Sequence, residues 1–164
     1  MGADIHFFRE RKTASLNYEG PKDLQDERNS KIEEVIEGKA LTERWVSADK
    51  WELTDDGWSH EEAYWSRNYY LFSILADVRN SGDADPISYP RGVPKDASSA
   101  YSYMVKRWDS DGHSHSYFTL EELLDVDWNQ YDTEYIEEFL KVIEQLKSID
   151  SDPKKVRVCF FFDN

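Results

Sequence analysis

The chain contains one cysteine, Cys159, so no disulfide can form within it and the framework of a small stapled secreted domain is excluded. Bases are also in short supply: 20 Lys and Arg stand against 34 Asp and Glu, a formal net charge of -14. That charge opposes unspecific attraction to DNA, RNA or anionic lipid, so neither direct nucleic-acid binding nor membrane association is expected. No apolar run approaches the ~20 residues that span a bilayer. The first residues lack the basic, then apolar, then small-residue order of a secretion signal, and a cytoplasmic protein is the expectation. Familiar catalytic templates are missing too: there is no Gly-rich phosphate loop, no GxSxG elbow, no HExxH and no CxxC. A paired HxT or HxS phosphodiesterase is unsupported, because position 115 is His where a hydroxyl would stand and Phe8 lies two residues after His6.

What the chain does have is aromatic weight. Six Trp, ten Tyr and eight Phe rule out a disordered chain despite the 33% charged content. At 164 residues the sequence is expected to form one domain over 1–164, of a size that buries roughly 70% of the surface its unfolded chain exposes. The charge must then sit on the surface.

The alternation in Asp4-Ile5-His6-Phe7-Phe8 predicts a strand with Ile5 and Phe7 on one face and Asp4, His6 and Phe8 on the other. Residues 156–162 predict an interior strand, with Val156, Val158, Phe160 and Phe162 sharing a face. If these first and last strands pair antiparallel, Asp4 falls near Asp163. Ser30-Lys31-Ile32-Glu33 fits a capping box, with Gly38 as the stop of a short helix. Residues 67–79 predict a core helix on Leu71, Leu75 and Val78. Thr119-Leu120-Glu121-Glu122 is a second capping box, opening a short helix to about Val126. The clearest amphipathic stripe is Ile136, Phe139, Leu140, Ile143 and Leu146 within 133–149, with Glu137 and Lys141 paired outside it. Strand is expected around Trp45-Val46 and Trp51-Leu53, and residues 82–100, with three prolines and two glycines, read as a long loop. The order implies an α+β domain: a small, mainly antiparallel sheet holding both terminal strands, packed by several helices.

Candidate chemistry lies in the few histidines. In DGHSHS, 111–116, His113 and His115 would project to one face of an extended segment. Folded against Asp4, His6 and Asp163 they would make a five-residue metal set, with a divalent ion such as Zn²⁺ or Mn²⁺ as cofactor. His6, His113 and His115 are then the catalytic candidates, and Asp4 could orient a His6 acting as general base. The bland alternative is a polar turn capping the helix after Thr119. Arg67, Arg79 and Arg91 are candidates for anion recognition, Arg91 because it sits in the rigid Pro90-Arg91-Gly92 turn, and Asp77 joins them beside Arg79. Against that stands the commoner fate of an Arg among 34 acids, which is an ion pair.

MGADIH at the start, RNYYLFSILADVRN at 67–80, PRGVPKD at 90–96, DGHSHSYFTLEEL at 111–123 and the closing FFFDN together resemble a family of small bacteriophage and prophage proteins beginning MGxDIH. The likeness runs in order through most of the chain. Members of that family often carry Cys where this chain has Ala3, so a thiol there is not essential. The resemblance implies a bacterial cytoplasm and, for a small acidic accessory protein, a role in counter-defence. Two functions follow as expectations. One is a His/Asp/Arg site for a phosphorylated or nucleotide ligand, extending to a metal-assisted hydrolase. The other is a non-catalytic acidic protein that sequesters a nucleotide signal or blocks a nucleic-acid-binding host defence protein. Turnover is left open between them.

Overall fold

The computed structural model describes residues 2–14 and 43–164, so the helix expected after Ser30 lies outside the described residues. A four-stranded antiparallel sheet forms the centre, ordered β2-β1-β6-β5, from β1 (Ile5–Thr13), β2 (Arg44–Ser47), β5 (His113–Thr119) and β6 (Val156–Phe162). A separate hairpin pairs β3 (Trp51–Thr54) with β4 (Gly57–His60). The helices are α1 (Tyr69–Ala76), α2 (Ser99–Trp108), α3 (Leu120–Asp125) and α4 (Glu137–Leu146). This is the α+β architecture expected from the sequence, with the first and last strands adjacent.

Every residue of β6 is buried, as suits an interior strand flanked by β1 and β5. Its two faces build two cores. Val156, Val158, Phe160 and Phe162 join Ile5 and Phe7 beneath Leu71 and Phe72 of α1, Leu120 and Leu123 of α3, and Phe139, Ile143 and Leu146 of α4. Cys159 and Phe161 join Phe8 on the other face beneath Ala100, Tyr101 and Met104 of α2. Each fully buried Phe removes enough apolar surface from water to contribute about 1.5–3 kcal/mol.

The helix ends follow local chemistry. The Asn68 side chain accepts the Leu71 N–H and starts α1, and Asp77 in a left-handed conformation stops it. Thr119 and Glu122 form the reciprocal capping box expected at the start of α3. The 133–149 segment opens as a 3-10 turn, Thr133–Ile136, before α4, and Lys141 pairs with Glu138 at 3.0 Å rather than with Glu137. Residues 82–98 do form a connecting loop, but α2 follows at once. Its buried Ala97, Ala100, Tyr101 and Met104 carry a helical period that the proline-rich approach obscured.

A buried charge pair ties α2 to the sheet. Glu10 is fully buried, and its carboxylate accepts from Arg157 Nε at 2.6 Å, directly across the β1–β6 ladder, and from the Ser98 backbone N–H at 2.7 Å. Ser98 in turn caps α2 through Tyr101 N–H. Arg157 also donates to Asp96 at 2.8 Å and stacks over Trp45 at 4.1 Å. Beside the pair, burial pushes the Cys159 thiol well above its ordinary range, so it stays protonated and inert, and its S–H donates to Glu10 at 3.2 Å. Breaking such a pair from one side leaves an uncompensated buried charge. Glu10→Ala is therefore expected to lower stability by about 3–5 kcal/mol in urea unfolding, and Glu10→Leu combined with Arg157→Met to recover most of that loss. A single-variant loss under about 1 kcal/mol would show that the pair does not anchor α2.

Candidate functional site

Antiparallel pairing of β1 with β6 sets Ile5 opposite Phe162 and His6 opposite Phe161, which leaves Asp4 beside Asp163. The Asp163 N–H donates to the Asp4 carbonyl at 3.1 Å, and the Asp4 N–H returns to Asp163 Oδ1 at 3.1 Å. Held this way, Asp163 presents Oδ2 to His6 Nε2 at 2.7 Å. A carboxylate at that distance accepts the Nε2–H, so neutral His6 carries its free lone pair on Nδ1. The ring cannot turn freely, because it stacks on Phe161 at 4.8 Å and lies against Trp108 at 4.3 Å. The geometry is that of a general base oriented by a carboxylate.

His6 Nδ1 looks toward Glu62, whose Oε1 is 3.8 Å away. Both side chains line a cleft of about 580 Å³, with Trp58 and His60 from the hairpin and Arg107 and Trp108 from the end of α2. That volume lies within the usual range of small-molecule sites, roughly 300–1,000 Å³. Burial pushes the Glu62 carboxyl up to about 7, with Asp49, Asp4 and Asp163 adding repulsion and the Phe7 N–H opposing both. Burial likewise lowers His60, which stays neutral and donates from Nε2 to the Phe7 carbonyl at 3.1 Å. Arg107 holds the hairpin by donating to the carbonyls of Trp58 at 2.9 Å and Asp56 at 3.0 Å.

The two DGHSHS histidines do not share a face. Between His113 and Ser116 the β5 strand takes three steps while β6 takes two, from Phe162 to Phe160, and Ser114 adopts a left-handed φ of 54°. This bulge sets His113 against Phe162 and His115 against Phe161, consecutive residues that face opposite sides of the sheet. His113 is engaged by Ser114 Oγ at 2.9 Å and Asn164 Oδ1 at 3.2 Å. His115 Nε2 is buried without a hydrogen-bond partner, and burial lowers its pKa. Asp4, His6 and Asp163 therefore come together as expected, while His113 and His115 do not complete a five-residue ligand set. Among the described residues no three His, Cys, Asp or Glu side chains gather in a way that would hold a metal ion.

The arginines are dispersed. Arg67 forks onto Asp4 at 2.7 and 3.2 Å and holds that carboxyl below its usual range. Arg79 reaches Asn164 Oδ1 at 3.3 Å and lies over Tyr69, and Arg91 pairs with Glu122 at 2.7 Å over the Phe118 ring. Asp77 is the stop of α1 and accepts from Asn80 at 2.8 Å. None of the four lines the cleft. Residues missed by sequence reasoning are Glu62, His60 and Trp108, which reach His6 only through tertiary packing. Trp108 had a readable signal, seven residues beyond Tyr101 and four beyond Met104 on the buried face of α2.

Comparison of the chain with protein-family models, curated proteins and solved structures finds no match. Among the described residues no helix is long and apolar enough to cross a membrane.

Glu62 makes a pH signature that can be measured. An unfolded Glu ionises near 4.5 and the folded one at about 7. Between those values the folded state holds a proton that the unfolded state has released, so stability falls as pH rises through the window. The shift amounts to about 2–3 kcal/mol, with the quarter of the side chain left exposed placing it at the lower end. Glu62→Gln is expected to remove that part of the slope. Urea unfolding of both proteins at pH 5 and pH 8 isolates it as a difference, and parallel pH dependence would refute the buried carboxyl.

Proposed function

We propose that the protein is a phage accessory protein, of the kind its sequence resembles, acting in a bacterial cytoplasm by binding a small ligand in the His6 cleft. The single observation that supports this best is the ordered array Asp163–His6–Glu62 at a cleft of ligand size: an imidazole oriented through Nε2, with Nδ1 facing a carboxyl group. In this reading His6 takes a proton from the ligand or holds it by a hydrogen bond at Nδ1, Asp163 positions His6, and Glu62 serves as the partner acid near neutral pH. Trp58 and Trp108 supply flat apolar walls. The chemistry of this reading runs through side chains of this chain. Binding alone would sequester the ligand, and proton transfer would let the protein convert it. Either outcome would remove a small host molecule, which is the form a counter-defence role would take here.

A protein-free, low-molecular-weight bacterial extract supplies the test. Protein incubated with it, desalted and denatured, is expected to release an enriched compound detectable by mass spectrometry, and a cleft-filling Ser59→Trp variant to release at least about tenfold less. Recovery of the compound unchanged indicates sequestration. Conversion by the natural sequence, lost in His6→Gln, indicates turnover. Equal recovery from the natural and Ser59→Trp proteins would overturn the reading.

A further inference from the structure

We propose that this cleft is built for a small organic cation, a protonated amine or amidinium seated at Glu62 with a planar or apolar body against Trp58 and Trp108. The inference rests on the ligand-binding reading above and names the class of ligand.

Four observations converge on it. The Glu62 side chain is three-quarters removed from solvent, and the group it faces at 3.8 Å is the His6 ring, with no Lys or Arg ion pair to it among the described residues. The charges that act most strongly on it are acids, Asp49 and Asp4, each held by its own arginine, and Asp163, and Asp111 stands at the rim. The guanidinium in the lining, Arg107, is directed to the hairpin carbonyls of Trp58 and Asp56, where it holds the wall in place. Trp58 and Trp108 offer indole rings, whose faces attract a desolvated cation. An anion would meet the carboxyl groups within a chain of net charge -14, and the guanidinium in the lining, Arg107, already has both terminal nitrogens on hairpin carbonyls. A cation instead meets carboxyl oxygens and π-faces together. The same inference accounts for the high pKa of Glu62: burial without a cationic partner favours the neutral acid, and an incoming cation supplies the partner that ionises it.

Three probes of one shape separate the charge from the shape: benzamidine is cationic at neutral pH, benzamide is neutral and benzoate is anionic. Binding to the full chain can be followed by the indole N–H shifts of Trp58 and Trp108. Benzamidine is expected to bind about tenfold or more tightly than benzamide, and benzoate more weakly than either. Glu62→Gln should reduce benzamidine to the benzamide level while leaving benzamide unchanged, and unaltered indole spectra without probe would show that the variant keeps its fold. Asp111→Asn, at the exposed rim, is expected to change benzamidine binding less than threefold. Benzoate binding as tightly as benzamidine, or a benzamidine preference surviving Glu62→Gln, overturns the cation inference alone. Silence from all three probes at both indoles would remove the ligand cleft itself, and this inference with it.

Discussion

Antiparallel pairing between the first and last strands is the constraint on which the rest of the molecule depends. Its register decides which face each side chain takes, because side chains alternate and a slip of one residue reverses every one of them. With Ile5 opposite Phe162, the apolar set Ile5, Phe7, Phe160 and Phe162 enters the three-helix side of the core, and His6 is left on the α2 side with Phe161. A one-residue slip would carry the imidazole into an apolar core and set a phenylalanine at the cleft in its place. The site and the core thus share one register, and neither can be altered without the other.

The same strand pair carries the Glu10–Arg157 contact several residues further along. Charges buried at one end of a ladder work against register slips, since a displaced pair would leave two unsatisfied ions in an apolar interior. Through Ser98 the pair also fixes the start of α2, and ten residues later that helix delivers Trp108 to the His6 ring. At 1.5 Å per residue, a helix of this length transmits a position across roughly 15 Å. The buried ion pair and the cleft are therefore the two ends of one rigid element.

Much of this fold was legible in the chain. The alternation from Val156 to Phe162, the Thr119 capping box and the Ile136–Leu146 stripe are local patterns with local causes, and each forms where expected. The nearness of Asp4 and Asp163 followed conditionally from strand pairing. The site was only half legible, for two physical reasons. A bulge at Ser114, a residue with no strong preference for positive φ, put the two histidines on opposite sides of the sheet. Glu62, His60 and Trp108 come from segments whose approach to β1 is set by tertiary packing, which no local spacing records. The arginines show the reverse failure: Arg91 stood in a suggestive turn, yet its fork was claimed by Glu122, thirty-one positions away in the sequence.

The hairpin that walls the cleft is wedged as well as hydrogen-bonded. His60 is inserted between Phe8 at 4.4 Å and Trp51 at 4.9 Å, a three-layer pile of rings that joins the β3–β4 pair to the central sheet. Swinging the hairpin outward would require unstacking that pile and releasing both carbonyls from Arg107. The wall consequently behaves as a fixed jamb rather than a door. A molecule arriving there meets a shape already set, so little chain entropy is lost on docking and association should proceed at the rate of encounter rather than the rate of opening.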